Sequence, residues 1–281
     1  FETPDEKTYL LGMYREAKKA GDTPMMLDAL NDLACGEAKE YRMDSAYHYM
    51  NLIKATHNVK EIIPLSAYLH MRFFDVLCSH NETEEAIAKE LQFTEEKKSD
   101  APSLYSKIVQ AYITGSSLHS NEMMKEALPY LETAMNLSKQ LPPEKRIKFV
   151  SMIVWKLSNI YSFLNECDSA IRLLEEDLEN QQLYYKDHYK AKRPFYNLAA
   201  RELQIYASLL TNAIMVAPEK MDYYWQQIVE LNKELTNPYD RYNYFLSMDN
   251  YYLNLKPHPN YEKALIANDS LIQIAQTIIP N

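Results

Sequence analysis

Apolar residues recur every three or four positions along this chain. In Ile153-Val154-Trp155-Lys156-Leu157-Ser158-Asn159-Ile160-Tyr161 they fall on one side of a 3.6-residue period, as a helix with one buried face requires. Strand signals are weak. Few segments alternate, and no Asn-Gly or Asp-Gly hairpin turn occurs. The pattern predicts a leading helix near 5–20, then helix pairs near 25–57, 63–97, 103–140, 145–182, 195–235 and 239–279. Together these make one repeat domain over 1–281.

Two markers recur with the helices. Pro24, Pro64, Pro102, Pro143, Pro194 and Pro238 are separated by 40, 38, 41, 51 and 44 residues. Proline is accepted in the first turn of a helix and rejected from its interior, so a regular proline marks a regular helix start. Asn237 before Pro238 supplies a capping side chain. A small residue after a polar pair gives the second marker: Ala46, Ala86, Ala127, Ala170 and Ala264, spaced by 40, 41, 43 and 94. The last gap is about two periods, and Met221-Asp222-Tyr223-Tyr224-Trp225 begins the helix that fills it. Pro129, just inside a second helix, predicts a late start or a kink there. A period of ~40 residues indicates a repeat array.

The residues Leu157, Tyr161, Ala170 and Leu174 carry the spacing of the tetratricopeptide family: a leucine, a tyrosine four residues on, a small alanine, and a large apolar residue four later. Leu33 with Ala46 and Met50 echoes it, as does Gly115 with Ala127, Leu131 and Ala134. Alanine lets two antiparallel helices approach, and the bulky residues fill the groove between them. The chain therefore resembles that family over nearly its whole length, with repeats longer than the family's 34 residues. The resemblance implies an all-α, right-handed α-α superhelix of about six helix pairs. HEAT-like arrays are the structural alternative. In style the chain also resembles the sensor regions of Bacteroidota membrane regulators, including hybrid histidine kinases. That likeness implies a periplasmic location, with a cytoplasmic one as the alternative.

Composition narrows the chemistry. Net charge is −9 over 281 residues, with an isoelectric point near 5.4. An acidic chain opposes nucleic-acid binding, which draws on clustered Lys and Arg. The four glycines, Gly12, Gly21, Gly36 and Gly115, form none of the phosphate-cradling or nucleophile-elbow motifs. Cys35, Cys78 and Cys167 lie far apart, without a CxxC pair, and read as buried thiols. A zinc site from Cys78, His80 and His119 needs chance convergence of neighbouring repeats. No cofactor is implied. The run Tyr184 to Pro194 is basic and aromatic and reads as a long loop. The 23 tyrosines suit helix interfaces that end in water, or an aromatic-lined groove.

In the resembling family the first helices of each pair line a concave face. Alignment on the small alanine projects Asn31 and Cys35, Tyr68 and Asp75, Tyr112 and Ser116, and Trp155 and Asn159 onto it. These are the candidate ligand-binding residues. No catalytic or metal residue is expected. The function implied is a protein- or ligand-binding scaffold, the sensory or interaction region of a larger signalling protein. A helical-repeat enzyme acting on glycans and a self-assembling structural unit are the alternatives. The partner is a protein, a peptide or a small ligand. A membrane would enter only through segments absent from this chain. The apolar circumference of the 261–279 helix offers a self-association surface.

Overall fold

The computed structural model describes residues 4–55, 63–79, 104–188, 198–235 and 238–278. Among these the chain is all-α, with twelve α-helices and no strand. They are α1 (Pro4–Ala20), α2 (Thr23–Lys39), α3 (Met43–Ala55), α4 (Ile63–Ser79), α5 (Leu104–Ser120), α6 (Met124–Ser138) and α7 (Pro143–Phe163). Then come α8 (Cys167–His188), α9 (Leu198–Val216), α10 (Met221–Asn232), α11 (Pro238–Leu253) and α12 (Tyr261–Ile278). The second helix expected between 63 and 97, with Ala86, lies outside the described residues. So do His80, Pro102, Pro194, Asn237, Ile279 and the part of the basic aromatic run after His188. No helix among the described residues is long and apolar enough to cross a membrane. The chain divides into two compact units, Phe1–Lys156 and Leu157–Asn281.

The helix starts follow the prolines. Pro24 sits in the first turn of α2, behind Asp22, whose Oδ1 accepts from the Met25 amide at 3.1 Å. Pro143 and Pro238 are the first residues of α7 and α11. Pro129 breaks this rule. Its helix begins at Met124, so the proline is interior to α6.

The turns between paired helices share one geometry. Gly21, Tyr41, Glu122 and Asn165 all take positive φ, between 58° and 69°. Behind each, an amide reaches back five residues: Asp22 to Ala17, Arg42 to Glu37, Met123 to Leu118 and Glu166 to Tyr161, at 2.7–2.9 Å. This left-handed cap satisfies carbonyls that the ending helix leaves open. Only one of the four sites uses glycine. The three others hold a side chain in a conformation that costs it about 1–2 kcal/mol.

In the first unit, α2 packs on α1, α3 and α4, α4 packs on α5, and α5 packs on α6. Leu27, Leu30 and Ala34 of α2, Ala46, Met50 and Ile53 of α3, and Leu69, Phe73 and Leu77 of α4 form one buried cluster. Glu37, buried in α2, pairs with Lys7 of α1 at 2.6 Å and with Arg42, which immediately precedes α3. Burial alone would raise its carboxyl, but hydrogen bonds from Arg42 and Lys7 outweigh burial and hold it below the ordinary range. Gly115 lets α5 and α6 close on each other. A Cβ there would meet Leu131 Cγ at 2.6 Å and the Leu131 amide nitrogen at 3.2 Å.

In the second unit, α9 packs on α8, α10 and α11, and α11 also packs on α10 and α12. Tyrosine supplies much of this packing. Trp225 of α10 stacks on Tyr244 and Tyr251 of α11, with centroids 5.6 and 5.1 Å apart. The Tyr251 hydroxyl donates to Asp222 at 2.6 Å, and the Tyr224 hydroxyl to Glu175 at 2.7 Å. The rings bury area while their hydroxyls find carboxylates at the rim.

Two substitutions test this packing. Gly115→Ala should destabilise the chain by about 1–3 kcal/mol through overpacking against Leu131, read from the urea midpoint. Glu122→Gly should stabilise it, since relief of the left-handed strain exceeds the ~0.4–1 kcal/mol of added unfolded-state entropy. A lower thermal midpoint for Glu122→Gly would contradict the strain assigned to that turn.

Candidate functional site

On α4, Tyr68, Arg72 and Asp75 follow one another at spacings of four and three, so a single helix face carries all three. Its neighbours α2 and α5, together with the first part of α7, supply their partners. Arg72 Nη1 donates to Asp32 of α2 at 2.9 Å, and both side chains keep about a quarter of their surface open, at 28% and 26%. The Tyr68 ring takes Arg72 at 6.0 Å and Lys148 Nζ at 5.2 Å from its centroid. It also meets Phe149 edge-on at 6.2 Å. Cations on an aromatic face are attracted by its quadrupole, more strongly as water is excluded.

One turn further along α4, Asp75 accepts a short hydrogen bond from the Tyr112 hydroxyl of α5 and pairs with Lys156 of α7 at 3.4 Å. Ser116 of α5, fully buried, stands beside both. Burial pushes the Asp75 carboxyl above the usual range, a rise that Lys156 and Tyr112 only partly offset. Burial likewise raises the Tyr112 phenol, with Asp75 adding to it. The Cys78 thiol is pushed up to about 11, first by burial and then by Asp75. A thiol so held is not a nucleophile near neutral pH. No group of three potential metal ligands occurs among the described residues.

The projected residues therefore separate. Asp75, Tyr112 and Ser116 come together, and Tyr68 lies two turns back on the same helix. Asn31 and Cys35 sit within the α2–α4 seam, with Cys35 near enough to Arg72, Asp32 and Asp75 to feel their charges. Asn31 is buried, and its Nδ2 donates to the Leu69 carbonyl at 3.0 Å and approaches Met50 Sδ at 3.7 Å. Cys35, also buried, directs its thiol to Asn31 Oδ1 at 3.9 Å. Trp155 and Asn159 are half-buried and one turn apart on α7, the first in the Phe1–Lys156 unit and the second in the other. Sequence reasoning missed Asp32, Arg72, Lys148 and Lys156. The Tyr68–Arg72–Asp75 spacing could have found Arg72. The others become visible only when α2, α4 and α7 are placed side by side.

His119 was also missed as a member of this region. Both its ring nitrogens are buried and make no hydrogen bond among the described residues. Burial first, and the Lys156 charge second, lower its pKa to about 4. The arrangement as a whole is one of paired charges and aromatic faces.

No family model matches this chain, and no curated protein matches it either. Among solved structures it is similar to BtubC (BKLC) from P. vanneervenii, with a TM-score of 0.58. Identity is 15%, and the match covers 86% of this chain and 94% of that one. At that identity the likeness concerns the fold alone.

His119 gives a pH test. An unfolded histidine takes its proton near 6.5, whereas the folded one stays neutral to about 4. Stability contributed by this group is full above 6.5 and is lost as pH falls toward 4. His119→Leu should raise the urea midpoint more at about pH 5 than at about pH 7.5, since it removes both the titration and the orphaned nitrogens. An equal effect at the two pH values would show that His119 is not held neutral by the fold.

Proposed function

We propose that the chain is a tetratricopeptide-like right-handed superhelix that binds a protein or peptide segment along its first helices. In this reading it is the sensory or interaction region of a larger signalling or regulatory protein, working outside the cytoplasm. One observation supports the binding reading above the rest. Three successive first helices, α2, α4 and α5, pack side by side, and the middle one carries Asp32-paired Arg72, Tyr68 and Asp75 along one face. A helix buried only for stability would place Leu or Val at such positions. Partly open ion pairs and a cation-flanked tyrosine offer exchangeable contacts to an incoming backbone or side chain. The ~40-residue period favours the superhelical arrangement.

The direct test is a peptide array probed with the purified chain, followed by titration of the best sequence. Arg72→Ala and Lys148→Ala together should weaken binding about tenfold or more. Unchanged affinity in that double variant would remove the groove from consideration. The signalling context is tested on the full-length gene. A signal peptide upstream and a membrane helix downstream would support it, and the lack of both would refute it.

A further inference from the structure

We draw no further inference here: the strongest candidate, the cluster of Tyr206, Tyr223 and Tyr224 beside the carboxylates of Glu175 and Glu202 in the second unit, has its rings packed on one another and Glu175 already paired with Lys220, and nothing in the structure points to a ligand on it.

Discussion

Close approach of neighbouring helices is the constraint on which both units depend. Among the described residues, helices meet their neighbours through residues too small to hold them apart. Ala46, Ala127 and Ala170 are fully buried, and Ala264 nearly so. Gly115 takes the demand furthest, since not even a methyl group fits beneath Leu131. Polar chemistry collects in the same seams: Asn31, Tyr112 and Ser116 are buried, and Asp75 bonds to the Tyr112 hydroxyl between α4 and α5.

This explains what could be read from the sequence. Helix class is a property of local period, so the run around Trp155 was enough to indicate it. Helix starts are set by proline and its caps, hence Pro24, Pro143 and Pro238 fall where the chain dictates. The turns were invisible for a physical reason. Gly21, Tyr41, Glu122 and Asn165 share a dihedral and a hydrogen-bond pattern but no side chain. Pro129 allowed a late start or a kink, and a helix that begins at Met124 removes the late start.

The candidate site was legible in part. Tyr68 and Asp75 stood out as polar and aromatic residues where a core helix would place aliphatic ones. Their partners did not, because Asp32 lies 40 residues from Arg72, and Lys156 lies 81 from Asp75. Asn31 illustrates the converse. The same polar signal that marks a groove residue also marks a buried amide that pins one helix to the next, here through the Leu69 carbonyl. Composition cannot separate the two, since both need a polar group inside a helical layer. Geometry separates them at once.

The buried thiols carry a consequence of their own. Cys35 and Cys78 are enclosed in the first unit and Cys167 in the second, all three free and buried. For Cys35 and Cys78, burial also raises the thiol to about 11, so a modifying reagent meets almost no thiolate while the helices are closed. Reaction therefore waits on local opening. The chain thereby holds its own set of clocks: the rate at which each cysteine is modified reports how often its stretch of helix breathes.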